Sequence, residues 1–144
     1  MDVSELRRRI LRALDEARQQ ASGRRQVVDA AAKEYAAFLS AVAVPVMRQA
    51  AAVLKAEGHP FAVETPEGSV RLVSGTSPHT FIELALDTSG KTGVVIGRAS
   101  LARGRGGQLV EERPVAEGKP VAAVTEDDLS AFLVAEIPKL VVRR

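Results

Sequence analysis

Between Phe61 and Val115 the chain breaks into short runs rich in Val, Ile, Leu, Phe and Thr, and the links between the runs are shorter than a crossover requires. The runs span 61–65, 69–74, 80–87, 93–99 and 108–115, and the turn-forming links are 66–68, 75–79, 88–92 and 103–107. Parallel neighbours need connections of about a dozen residues or more. Links this short, built on Gly, Pro, Ser and Asp, therefore predict an up-and-down antiparallel meander of about five strands. Val70 and Leu72 alternate with Arg71, and Ile82, Leu84 and Leu86 alternate with Glu83 and Asp87, so one face of that sheet is expected to lie buried under helices.

The covering helices are expected on either side of the meander. Over 4–20, Val3, Leu6, Ile10, Leu14 and Ala17 recur at three- and four-residue steps among charged residues. Ala21-Ser22-Gly23 offers a break, since Gly costs about 1 kcal/mol against Ala inside a helix. A second, Ala-rich helix is expected over 25–57, kinked or briefly broken at Pro45, and stopped by Gly58 before His59-Pro60. Thr125 is expected to cap a last helix over 126–142, whose first turn is Glu126-Asp127-Asp128 and which Pro138 should bend or restart. Arg143 and Arg144 place favourable charge at its end. The fold expected for residues 1–144 is a single α+β domain of two layers, with long N-terminal helices and a C-terminal helix on one face of the meander.

The composition narrows the chemistry. With 144 residues, 46% hydrophobic and 26% charged, the chain has the makeup of an ordinary globular protein. It has no cysteine, which excludes disulfides, thiolate metal sites and a cysteine nucleophile, and fits a reducing compartment. No unbroken apolar run reaches membrane-spanning length, Ala41 to Val46 being the most apolar stretch, so a cytoplasmic protein without membrane contact is expected. Twenty basic residues stand against 18 acidic ones, a weak electrostatic case for nucleic acid.

No motif points firmly to a reaction. Residues 85–92, Ala-Leu-Asp-Thr-Ser-Gly-Lys-Thr, satisfy a relaxed phosphate-loop pattern, yet Gly93-Val94-Val95-Ile96-Gly97 follows where a helix should begin. A hairpin turn is the better reading. Arg103-Gly104-Arg105-Gly106-Gly107 is one copy of an Arg-Gly element that acts on RNA by repetition, and reads as a hairpin tip. His59 and His79 have no companions at metal-ligand spacing, and no serine sits in a Gly-x-Ser-x-Gly elbow. No cofactor is expected.

What remains is surface. Glu64, Arg71, Glu83, Asp87, Arg98, Glu111 and Arg113 are expected on the sheet face away from the helices, as a solvated ladder or as a polar contact surface. The Ala-rich helix has an apolar stripe wide enough either to be covered by the first and last helices or to form a homodimer seam. The leading expectation is a non-enzymatic binding or protein-interaction protein, homodimeric through its N-terminal helices, with Glu64, Arg71, Glu83, Arg98, Arg103 and Arg105 as its contact surface. Two further readings are nucleic-acid association through basic hairpin loops, with Lys91, Arg98 and Lys119 adding phosphate contacts, and a small-ligand binder or enzyme with an Arg/Glu pocket between sheet and helices.

Overall fold

The structure is a computed structural model that describes residues 2–142. Five strands, β1 (Phe61–Glu64), β2 (Val70–Ser74), β3 (Phe81–Asp87), β4 (Val94–Arg103) and β5 (Gly107–Pro114), lie side by side in chain order. Every neighbouring pair is antiparallel. The register aligns Val63, Leu72, Ile82 and Ala99 in one row, with Val70, Leu84 and Gly97 in the next. On this face Val70, Leu72, Ile82 and Leu84 are wholly buried beneath helices α1 (Val3–Phe38), α2 (Val44–Ala56) and α3 (Glu126–Val141). The protein is thus α+β, with its core between one sheet face and the helices.

The fourth strand runs further than its alternation predicts. Pairing with β3 stops at Phe81 opposite Ser100, and pairing with β5, Leu101 to Leu109, Ala102 to Gln108 and Arg103 to Gly107, carries the strand on to Arg103. Ser100 Oγ donates to the His79 carbonyl at 2.7 Å and the Ala102 N–H donates to Thr80 Oγ1 at 3.1 Å, which ties the extension to the segment before β3. The tip shrinks to Gly104-Arg105-Gly106, where Arg105 and Gly106 adopt positive φ of 65° and 79°.

The N-terminal helices depart from expectation. There is no break at Ala21-Ser22-Gly23: α1 runs unbroken through them, and Gly23 is exposed. A single glycine costs about 1 kcal/mol, which helix already formed on both sides outweighs once nucleation is complete. A π-helical turn, Leu39–Ala43, then joins α1 to α2, with the Val44 N–H donating to the Leu39 carbonyl. The wider turn accommodates Pro45, which has no N–H to give and whose ring would strike the carbonyl four residues back. Helix is therefore continuous for 54 residues, roughly 80 Å at 1.5 Å per residue. The first part cannot fold back to cover the second, and Ala30, Ala32, Ala36 and Ala37 are exposed instead of packed beneath it. At the far end the His59 N–H reaches the Leu54 carbonyl at 2.8 Å across Gly58, whose φ of 86° closes the helix.

An 18-residue window of this helix has mean hydropathy 1.6, so by length and composition it is apolar enough to cross a membrane. A search for unbroken apolar runs misses this, because Ser40, Arg48 and Gln49 interrupt the stretch. Tyr35, Phe38, Val46 and Met47 on its inner face are buried in the core with the strands, so entering a bilayer would strip that core or drag the sheet along.

Helix α3 begins with a complete capping box: Thr125 Oγ1 accepts from the Asp128 N–H at 3.2 Å and Asp128 Oδ2 accepts from the Thr125 N–H at 2.9 Å. Pro138 falls inside the last turn and does not end the helix, and Arg143 and Arg144 lie outside the described residues. Hydrogen bonding from Lys119, then from the Thr125 backbone, holds the Asp128 carboxyl below the usual carboxylate range. A depressed folded-state value gives stability that is present above the unfolded value, near pH 4, and is lost as pH falls through the folded one. Thr125→Ala, which removes the cap acceptor for the Asp128 N–H, should lower stability by about 1 kcal/mol. Asp128→Asn should flatten the fall in melting temperature below roughly pH 4, and an unchanged acid limb would contradict the assignment.

Candidate ligand cleft

Four of the predicted surface residues meet on the open face of the sheet. The register sets Glu64 opposite Arg71, Arg71 opposite Glu83, Glu83 opposite Arg98 and Arg98 opposite Glu112. Glu83 accepts from Arg71 through Oε2 and from Arg98 Nη1 at 3.1 Å through Oε1, while Arg98 Nε donates to Glu112. Arg71 also lies 4.3 Å over the Phe81 ring. These charges largely satisfy one another. Asp87 is on the same face but outside the row, and Ser89 donates to it through both Oγ and N–H, holding its carboxyl below the usual range.

Glu111 and Arg113 are not on this face. The register pairs them with Ala99 and Gly97, which turns both toward α3, and Glu112 takes the outer position. Three consecutive polar residues, Glu111-Glu112-Arg113, carry no alternation, so the sequence does not say which of them points inward. Arg105 stands at the β4–β5 tip and Arg103 at the root of that turn. Of the remaining basic residues, Lys119 is paired with Asp128, and Lys91 is exposed in the β3–β4 turn. The phosphate-loop pattern lies in that turn, and a strand follows it where a helix is needed. The Gly90 carbonyl in the turn accepts from Arg24 Nη1 at 2.7 Å.

The inward-facing pair builds a different site. Gly97 leaves room on β4 for the Phe132 ring of α3, and the Arg113 guanidinium lies 4.5 Å over that ring. One helical turn further on, Glu136 faces the sheet and is only 3% exposed. Its Oε1 accepts from Arg113 Nε at 3.0 Å and from Lys139 Nζ at 3.5 Å, and Lys139 lies 3.6 Å from Glu111. Its Oε2 is buried and has no hydrogen-bond partner among the described residues. Beside this carboxylate opens a cleft of about 1090 Å³. Leu101, Leu109, Leu140 and Val142 supply apolar wall, Ser74, Thr76, Ser77 and Thr80 supply hydroxyls, and Arg103, Glu111 and Lys139 contribute charge.

In the lining of the cleft Thr80 Oγ1 is committed to the Ala102 N–H and Ser74 Oγ lies 3.0 Å from Thr76 Oγ1, while Glu136 Oε2 is an acceptor with no partner among the described residues. Among the described residues no three His, Cys, Asp or Glu side chains gather as a metal site. A second, smaller cleft of about 620 Å³ lies between α1 and the β2–β3 strands and includes Tyr35. Burial, and then the charge of Glu83, push the Tyr35 phenol up, so it stays neutral. Its hydroxyl also has no hydrogen bond among the described residues, but a neutral hydroxyl left alone costs less than a carboxylate oxygen.

Neither Glu136 nor Lys139 was among the residues expected at a site, although the sequence carries a signal for the first. At 100° per residue Glu136 falls in the middle of the stripe formed by Leu129, Phe132, Leu133 and Leu140, and a charge centred on the apolar face of a helix needs a buried partner. No family model matches the chain, and neither the curated proteins nor the solved structures include a significant match.

Proposed function

We propose that the protein is a non-enzymatic binding protein whose cleft beneath α3 takes a small, mainly apolar molecule bearing one hydrogen-bond donor. The observation that carries this reading is Glu136, which lines the cleft and has one buried carboxylate oxygen without a partner among the described residues. An unsatisfied buried carboxylate oxygen costs roughly 1–3 kcal/mol or more, and a bound donor removes that penalty. Arg113 and Lys139 already offset the charge of Glu136, so a neutral hydroxyl or amide donor is favoured over an ammonium. The cleft volume is of the size that small-molecule sites occupy, and its leucines match an alkyl or ring body.

The test uses two isomers that differ only in the donor, 1-hexanol and methyl pentyl ether, titrated into isotopically labelled protein and followed by NMR. The alcohol is expected to shift resonances of Leu101, Leu109, Leu140 and Glu136 saturably, and to bind about tenfold more tightly than the ether. Equal binding of the two isomers, or shifts confined to other surfaces, would sink the reading.

A further inference from the structure

The first 21 residues of the helix form an arm with no covering partner. Every described residue from Asp2 to Val27 is exposed, including Val3, Leu6, Ile10 and Leu14, and Val3 reaches 80%. Counted at 100° per residue, Val3, Leu6, Ile10, Leu14, Ala17 and Ala21 fall on the same side of the helix as Ala31, Tyr35 and Phe38. The latter three are buried against the protein's own core. The docking stripe thus continues for about 27 Å beyond the surface it docks on. None of the residues that line the cleft lies on it.

We infer that the arm pairs with the arm of a second copy of this chain, and that the two run antiparallel. Three observations select this occupant and this direction. The first is where the rest of the protein sits. Arg24 touches the β3–β4 turn and the wall of the domain begins there, on the stripe side of the helix. A parallel partner helix, continuing past that point, would run into this domain. An antiparallel partner runs the other way, and its own domain lies beyond the Asp2 cap. The second is the gradient of size along the stripe, from Val3, Leu6 and Ile10 to Ala17 and Ala21. Antiparallel pairing sets Val3 against Ala21, Leu6 against Ala17 and Ile10 against Leu14, large against small at each end, which keeps the helices evenly spaced. Parallel pairing would stack large on large and leave alanine facing alanine. The third is charge: on one flank of the stripe Arg9, which already donates to Glu5 of its own arm, comes to Glu16 of the partner arm, twice by symmetry, and each Asp2 comes to Arg24 of the other copy and the neighbouring turn that holds Lys91. On the opposite flank Arg7 and Arg18 approach one another in water, where screening makes their repulsion small.

The absence of cysteine allows a direct test. Val3→Cys and Ala21→Cys change exposed positions, and unchanged circular dichroism would show that each variant folds. The parent is expected to sediment at twice the mass of the 15.3 kDa chain. Under mild oxidation an equimolar mixture of the two variants should cross-link to a heterodimer, and neither variant should cross-link to itself. Ile10→Glu with Leu14→Glu should weaken association on the order of 100-fold or more while leaving the domain folded. Self-linking of Val3→Cys would establish parallel pairing and overturn the direction. A strict monomer over the whole concentration range would overturn the pairing itself, as would a monomer whose arm binds phosphatidylglycerol vesicles instead. None of these results bears on the alcohol and ether titration, so the arm and the cleft stand or fall separately.

Discussion

Gly97→Ala is expected to cost the fold on the order of 3 kcal/mol, measured as a drop in the urea midpoint with the slope unchanged. A β-carbon at this position would lie 2.2 Å from Phe132 Cζ and 2.7 Å from both Cε atoms. The ring cannot easily retreat. Arg113 stacks over it, and Leu129 and Leu133 of the same helix are buried in the same core. Either α3 lifts from the sheet, opening voids along its stripe, or Phe132 leaves its rotamer. Phe132→Leu, destabilising alone, should lose much of its effect in the Gly97→Ala background, giving a coupling of about 1 kcal/mol or more in a double-mutant cycle. A loss below about 0.5 kcal/mol for Gly97→Ala would mean that α3 does not rest on β4 at this point.

The second large effect is expected at Arg113. Arg113→Met keeps the aliphatic stem and removes the guanidinium, which leaves the buried Glu136 carboxylate with only Lys139 at 3.5 Å. Stripping one partner from a fully buried ion pair costs about 3–5 kcal/mol. The side chain of Arg113 is 45% exposed, so solvent screening reduces the expected loss to about 2 kcal/mol, including the contact over Phe132. Adding Glu136→Met should recover most of that stability, because replacing both members of a buried pair with apolar groups is close to neutral. Thermal unfolding of the three variants decides the matter. Additive losses would show that the two residues do not act as a pair.

The parts of the fold legible in the sequence were those set by local rules. Short links forced the meander, and Thr125 with its acidic first turn marked the start of α3. Gly58 marked the end of the long helix for the same kind of reason. What misled was a local rule applied where cooperative structure overrides it. Gly23 resembles a stop, but the helix continues through it at a modest cost, and β4 extends past Ala99 because β5 pairs with it as far as Arg103 opposite Gly107. The open sheet face was most readable for Arg71 and Glu83, each flanked by large apolar neighbours, and Glu64 and Arg98 fall in register with them. It was not readable for Glu111 and Arg113, which sit in a polar run without period. The cleft depends on those two residues meeting Glu136, and their orientation is fixed by strand register, which involves residues far apart in the chain.

The π turn between α1 and α2 changes the phase of the long helix. In the frame of an uninterrupted α-helix, the buried positions of the first part, Ala31, Tyr35 and Phe38, and those of the second, Val46, Met47 and Leu54, point in directions about 100° apart, the angle of one residue. The five-residue turn Leu39–Ala43 takes up that one surplus residue, and both parts then face the same sheet. The helix is thus two segments in different reading frames, spliced by a one-residue insertion. Because the arm shares the frame of the first segment, its stripe is aligned with the domain directly through Ala31, Tyr35 and Phe38, and the splice lets Val46, Met47 and Leu54 face the core without turning the arm away from it.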